Sequence, residues 1–270
     1  MKNAFTIDLE DWFCSHNLKD FVPYEHWENM ESRVERNTEA LLNLLAKKEV
    51  KATFFVLGWI AERYPRLIES VSKEGHEIAS HGYAHKQIYL QTPDEFESDI
   101  ARSNLILNSI TGIYPKGYRA PAFSITKSSL WALDILKKHG FVYDSSIYPF
   151  SFHPDYGHNT ELQIHQNENL IEVPLSCATF NSRRIPCSGG AYLRFYPYWL
   201  FITLAKRVVR QQRPFIFYIH PWELDHNPPA IRLPMITSLR HYYNYRPTLK
   251  KIDQLLQEFE FSTLRDILSV

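Results

Sequence analysis

The sequence predicts an α/β protein built on a parallel sheet, either doubly wound or closed into a barrel. Short β-rich runs alternate with stretches of helical periodicity through most of the chain, which is the pattern of βαβ units. At 270 residues with 44% hydrophobic and 22% charged side chains, the chain is long enough to bury one large core or two small ones. Polar groups capable of chemistry gather where the expected strands run out, the face on which parallel sheets and barrels bind ligands.

In chain order, "AFTIDLEDW" opens as a strand and ends in acids, and "RVERNTEALLNLLAKKEV" spaces its apolar residues as a helix does. "KATFFVLGW" reads as a buried strand, "IAERYPRLIESVSKEG" as one helix closed by Gly75, and "HEIASHG" as strand and loop. "TPDEFESDIARSNLILNSITG" is a helix capped by its Thr or Asp and stopped at Gly112. "YPKGYRAPAFS" carries the Pro and Gly of a strand-end loop, "TKSSLWALDILKKHG" is a helix, and "FVYDSS" a strand. Between Ile147 and Pro197 the rhythm loosens into an elaborated face of the same domain, with one strand candidate at "LIEVPLS". Helix and strand return in "PYWLFITLAKRVVRQQRP" and "FIFYIHPWEL"; a polar stretch, the helix "TLKKIDQLLQEF" and the strand "FSTL" follow. No linker or repeat interrupts the run, so residues 1–270 are expected to form a single domain.

Lys and Arg together number 30, as do Asp and Glu, and no basic stripe points to nucleic acid. Cys14, Cys177 and Cys187 are odd in number and widely spaced, so they are expected to be structural thiols in a reducing compartment. The N-terminus reaches Asp8, Glu10 and Asp11 without an apolar leader segment, and no stretch approaches the roughly 18 apolar residues of a membrane span. A cytoplasmic protein without a transmembrane segment is the expectation.

In "HEIASHGYAH", His81 and His85 stand four residues apart, a spacing that presents both imidazoles to one ion if the backbone makes a turn. A carboxylate from the cluster Asp8, Glu10 and Asp11 would supply a third ligand. Two histidines and one carboxylate leave positions open for water and substrate, the mark of a catalytic rather than a structural metal. If "DLED" continues as an extended strand, Asp8 and Glu10 share a face and Glu10 is the natural ligand; if the chain turns after Asp8, Asp11 faces the ion instead.

With these residues in view, the chain resembles the carbohydrate esterase family 4 polysaccharide deacetylases, the NodB-homology enzymes. "TIDLED" corresponds to the usual T-F-D-D-G, "HGYAH" to H-[ST]-x-x-H, "RAPAF" to the R-x-P motif, "YDSS" loosely to the fourth motif, and "YIH" to the closing L-x-H. "IDLEDW", "HPWEL" and "HYYNYRPTLKKIDQLL" look most like the branch found in bacterial exopolysaccharide gene clusters. The resemblance implies a distorted, incomplete (β/α) barrel of seven strands and a divalent metal, Zn²⁺ above others. It implies Asp8 as general base, Arg119 as the residue that orients it, His220 as general acid, and His81 and His85 as metal ligands. Asp11, with the shorter side chain closer to the family's aspartate, is the expected third ligand, leaving Glu10 to Arg119 or a loop amide. A backbone N–H near Pro121 and Ala122 would steady the oxyanion, and Tyr118, Phe123, Trp12 and Trp222 would form a sugar platform. The implied reaction removes acetyl groups from an N-acetylated saccharide or lipid-linked glycan. The wider superfamily adds the alternative of an amidohydrolase on ureides or cyclic imides, and a non-catalytic carbohydrate-binding relative is a third reading. "DLED" lacks the family's adjacent aspartates and Gly82 stands where Ser or Thr is usual, so the metal-ligand set is where this chain departs from its pattern.

Overall fold

The computed structural model describes residues 2–150, 157, 160–181 and 183–270; part of the segment 147–197 therefore lies outside the described residues. The chain runs β1 (Asn3–Leu9), α1 (Val34–Lys47), β2 (Thr53–Val56), α2 (Gly58–Arg63), α3 (Pro65–Lys73), β3 (Glu77–Ser80), α4 (Pro93–Thr111), β4 (Gly117–Tyr118), α5 (Trp131–Lys138) and β5 (Tyr143–Asp144). Two hairpins follow, β6 (His165–Asn167) with β7 (Leu170–Glu172) and β8 (Cys177–Phe180) with β9 (Arg183–Pro186). Then come α6 (Gly190–Phe195), α7 (Tyr198–Arg210), β10 (Ile216–Ile219), α8 (Met235–Tyr242), α9 (Thr248–Glu258), β11 (Phe261–Ser262) and α10 (Leu264–Leu268).

Seven parallel strands lie side by side in the order β10, β1, β2, β3, β4, β5, β7, and the sheet curls into a half-barrel. The antiparallel β6 extends one end and β11 pairs beside the start of β1. All seven residues of β1 are buried, as a strand covered on both faces requires. Its period of two divides them. Phe5, Ile7 and Leu9 join Phe54, Val56, Phe217 and Ile219 in the core under the helices, while Ala4 joins Phe55, Ala79, Ile216 and Tyr218 in a second core inside the curl. Each large apolar side chain so buried contributes about 1.5–3 kcal/mol before the entropy of ordering is subtracted. The inward parity carries Thr6 and Asp8 toward the concave mouth.

Two local departures from expectation have simple causes. The single helix read over residues 60–75 is two, because Pro65 drives Tyr64 out of the helical region to φ −124°, ψ 55° and then starts α3 at its first turn. The polar stretch after residue 224 contains α8, whose apolar residues do not fall on an inward stripe. By contrast α4 begins and ends as its sequence indicates: Thr92 and Glu95 form a reciprocal capping box, and Gly112 closes it at φ 75°. The three thiols are free and buried. Among the described residues no helix is long and apolar enough to cross a membrane.

Candidate active site

Four strand ends converge on one cleft of about 410 Å³, lined by Asp8, Glu10, His81, His85, His220 and Trp222 among others, a size suited to a small-molecule site. Asp8 and Glu10 arrive from β1, the histidine pair from the loop after β3, Arg119 from the end of β4, and His220 from the end of β10. The loop that carries the histidines is held by Asp99 of α4, which accepts from Tyr83 N at 2.7 Å and Ala84 N at 3.1 Å. Gly82 turns at φ 71°, and a Cβ there would stand 2.8 Å from Asp99 Oδ2, so the glycine is a condition of this loop. His85 itself sits at φ 54°, a left-handed conformation uncommon for a side-chain-bearing residue.

Glu10, His81 and His85 offer ligand atoms that all lie within 4.8 Å of one another. His81 Nδ1 donates to the Arg119 carbonyl at 2.7 Å, which leaves its Nε2 free to bind, an orientation typical of metal-binding imidazoles. Glu10 Oε2 is buried and accepts no hydrogen bond, although it lies 2.8 Å from His85 Nε2. A buried carboxylate oxygen without a donor is costly, and a cation shared with the two imidazoles satisfies it. The residues present thus fit a divalent ion.

Beside this cluster, Arg119 is fully buried and donates from one terminal nitrogen to Asp8 Oδ1 at 2.7 Å and Thr6 Oγ1 at 2.8 Å. Its other nitrogens reach the Ser145 carbonyl and hydroxyl at 3.2 and 3.0 Å, and its guanidinium lies 4.0 Å over the Phe55 ring. Asp8 is thereby fixed with Oδ2 turned to His220 Nε2 at 3.9 Å. His220 Nδ1 meets Glu223 Oε1 at 2.9 Å, and Glu223 Oε2 accepts from Arg194 Nε at 2.7 Å. Trp222 stacks on the His220 ring at 4.7 Å and donates its indole N–H to Glu10 Oε1 at 3.2 Å.

Charge and burial compete at Glu10, His81 and His220. Burial raises the Glu10 carboxyl, but His85, His220 and His81 outweigh it and bring it down to about 2. Burial lowers His81 to about 4 against the pull of Asp8 and Glu10, so it is the neutral imidazole a metal requires. Burial also opposes the charge on His220, yet Glu10, Glu223 and Asp8 together raise it to about 9. At neutral pH without an ion in the cleft, His220 carries its proton.

The structure brings together Asp8, Glu10, His81, His85, Arg119, Ala122, Phe123, His220 and Trp222, and it corrects four expectations. Asp11 does not join the histidines. The strand stays extended one residue further than a turn after Asp8 would allow, so Glu10 shares the inward face with Asp8. The fully buried Asp11 carboxylate instead accepts from Trp12 N at 2.8 Å, Ser32 Oγ at 2.6 Å, Arg33 N at 2.8 Å and Val34 N at 3.1 Å, anchoring the start of α1. Accordingly Glu10 meets His85, His220 and Trp222 rather than Arg119. Tyr118 is no platform either: it lies between the inward Gly117 and Arg119, points outward, and packs fully buried against Phe96 and Phe141. Trp12 is buried in the helix-side core with its indole N–H on the Glu31 carbonyl. Pro121 is buried beside the cleft, while Ala122 lines it at φ 53°.

Sequence reasoning missed Glu223, Arg194 and Asp99. Glu223 stands three residues after His220 and its carboxylate also meets the His220 N–H at 3.2 Å, a capping-box spacing that is legible in "HPWE". Arg194 falls where the pattern loosens, and nothing in its neighbourhood marks it. Gly190 permits the close approach of its helix, since a Cβ there would lie 2.3 Å from Glu223 Oε1.

Two family models match consecutive parts of the chain: polysaccharide deacetylase over residues 26–143 and a domain of unknown function, DUF3473, over residues 145–269. Asp8 and Glu10 precede the first match, and His220, Glu223 and Arg194 belong to the second. Among curated proteins, a peptidoglycan-N-acetylglucosamine deacetylase of Bacillus cereus is 37% identical over 98 residues, 36% of this chain and 36% of that protein. The chain thus spans little more than a third of the length of that relative. A solved putative polysaccharide deacetylase from Mycobacterium smegmatis superposes with a TM-score of 0.60 at 18% identity, covering 100% of this chain and 90% of that one. An allantoinase superposes at 0.59 with 16% identity over 98% and 88% of the two chains. At such identities the two structures speak to the fold alone.

Proposed function

We propose, for a chain that belongs to the polysaccharide deacetylase family, that it is a metal-dependent hydrolase removing N-acetyl groups from amino sugars of a glycan or glycan precursor. The observation that carries the reading is the meeting of Glu10, His81 and His85 beside the Asp8–Arg119 pair and His220 at one strand-end mouth. Glu10, His81 and His85 would hold the ion, and two histidines with one carboxylate suit Zn²⁺. When bound, the ion supplies Lewis acidity toward the acetamide carbonyl and toward water.

The remaining chemistry belongs to the chain. Asp8, with Oδ1 locked by Arg119, accepts the proton of the attacking water at Oδ2. His220, with Nδ1 held by Glu223, presents Nε2–H to the departing sugar nitrogen. The Ala122 N–H at the cleft edge is the backbone donor for the developing oxyanion, a contribution of about 2.7–4 kcal/mol per donor. Phe123 and Trp222 line the cleft as apolar surface for a pyranose ring. Because β1 pairs with β2 of the first matched stretch on one side and β10 of the second on the other, we take the two stretches as one catalytic unit. An exopolysaccharide precursor is the substrate favoured by the sequence resemblance.

Acetate release is to be measured on N-acetylated oligosaccharides, peptidoglycan fragments and ureides, before and after chelation and after Zn²⁺ is restored. Release from an N-acetyl saccharide that chelation abolishes, and that His81→Ala lacks, supports the reading. Undiminished turnover after chelation, or turnover of ureides alone, overturns it.

A further inference from the structure

An ordinary surface helix turns its apolar stripe to the core; α8 does the reverse. Met235, Ile236 and Leu239 are 84%, 63% and 56% exposed, while the residues it buries are His241 and part of Tyr242. Three large apolar side chains within one and a half turns make a local patch rather than scattered exposure. The charge around them is one-sided. From His226 to Ile252 the sequence contains no Asp or Glu but holds Arg232, Arg240, Arg246, Lys250 and Lys251, in a chain whose formal net charge is zero. Arg232, Arg240, Arg246 and Lys250 are exposed and have no carboxylate partner among the described residues. The helix packs on the turn His16–Leu18, and Arg240 lines the cleft together with His16 and Asn17 of that turn.

We infer that α8 and its basic flanks dock the protein on an anionic lipid bilayer, with Met235, Ile236 and Leu239 entering the interface and the arginines meeting headgroup phosphates. Exposed apolar residues flanked by unpaired cations are what interfacial helices offer, and a purely apolar partner face would leave those cations unmatched. The docking itself stands apart from the hydrolase reading. Its consequence rests on that reading: the cleft mouth faces the headgroups, where a glycan carried on a membrane lipid presents its acetamido groups.

The test is co-sedimentation of the full chain with vesicles of phosphatidylcholine containing about 30 mol % phosphatidylglycerol, against phosphatidylcholine alone. Chelated protein is used, so failure of the metal chemistry does not affect the readout. Partition into the anionic vesicles is expected, weakened at high salt. Arg232→Gln with Arg246→Gln should lower it roughly thirtyfold, at about fivefold per cation near the surface. The triple variant Met235→Gln, Ile236→Gln, Leu239→Gln should abolish partition while keeping the wild-type circular dichroism and, in a separate assay with the ion restored, the wild-type acetate release from a water-soluble substrate. Absence of wild-type partition, or partition unchanged in the triple variant, overturns the inference. So does a wild-type dimer that the triple variant converts to monomer, which would make this face a contact between two copies.

Discussion

Glu223→Gln is the most informative single substitution, because it changes one charge and almost no volume. Glu223 is fully enclosed, 2.9 Å from His220 Nδ1 and 2.7 Å from Arg194 Nε. The amide keeps an oxygen for Arg194, so that guanidinium is not orphaned, but it withdraws one of the three carboxylates that raise His220 to about 9. A carboxylate at this distance is worth about one to two pH units. In the chelated protein, His220 followed by NMR should titrate near 9 in the wild type and about one to two units lower in the variant. A raised imidazole stabilises the fold fully below its unfolded value near 6.5, and that contribution disappears as pH rises through about 9. The chelated wild type should therefore lose up to about 3 kcal/mol of stability across this window, and the variant less. If turnover requires protonated His220, the variant should lose more of its rate at pH 8 than at pH 6. A His220 that titrates near 6.5 in both proteins would refute the reasoning, since the carboxylates would then not be acting on it.

Glu10→Gln should abolish divalent-ion binding in calorimetric titration, whereas Asp11→Asn should bind the ion with wild-type stoichiometry and lose about 2–4 kcal/mol of stability to denaturant, having given up charge-assisted bonds to α1. Gly82→Ala should destabilise the loop that carries His81 and His85 and weaken ion affinity at least tenfold, because the new methyl meets Asp99 at a left-handed backbone; equal affinity would show that the loop yields freely. Asp144 and Glu172 face each other fully buried across β5 and β7; burial raises both, and the Asp144 carboxylate pushes Glu172 up further while a hydrogen bond from Glu172 holds Asp144 back. Their folded values exceed the unfolded ones, so their contribution to stability is complete at acid pH and falls as pH rises toward neutrality and beyond; Glu172→Gln should be more stable than wild type at pH 8 and should flatten that slope in urea melts.

What the sequence made legible follows from periodicity. The alternation of β-rich and helical runs is a direct imprint of burial, and the strand ends at Asp8, His81, Arg119 and His220 could be found because parallel strands deliver their last residues to one face. Parity explains the errors as well. Tyr118 was read by its chemistry rather than by its place between two inward residues, and the outcome at Asp11 hung on a single residue of strand length, fixed by the pairing of Leu9 with Val56. Arg194 and Asp99 lay beyond reach for a different reason. Each acts across the fold on a partner chosen by tertiary packing, Glu223 in one case and the amides of Tyr83 and Ala84 in the other, and local pattern carries no trace of such pairings.

The pairing of β1 with β10 has a consequence for the order in which this machinery can exist. Glu10 and the Trp222 that donates to it are 212 residues apart, so the ion cluster and the acid that serves it belong to opposite ends of synthesis. A growing chain that has reached β5 holds every group of the cluster, yet β1 has an open edge, since the neighbour on its far side, β10, does not yet exist. An unpaired parallel strand destined for full burial is slow to satisfy and prone to pair with the wrong chain. Emergence of Ile216–Ile219 therefore does two things at once: it closes the adhesive edge and delivers His220. Competence for chemistry and protection from aggregation arrive with the same four residues.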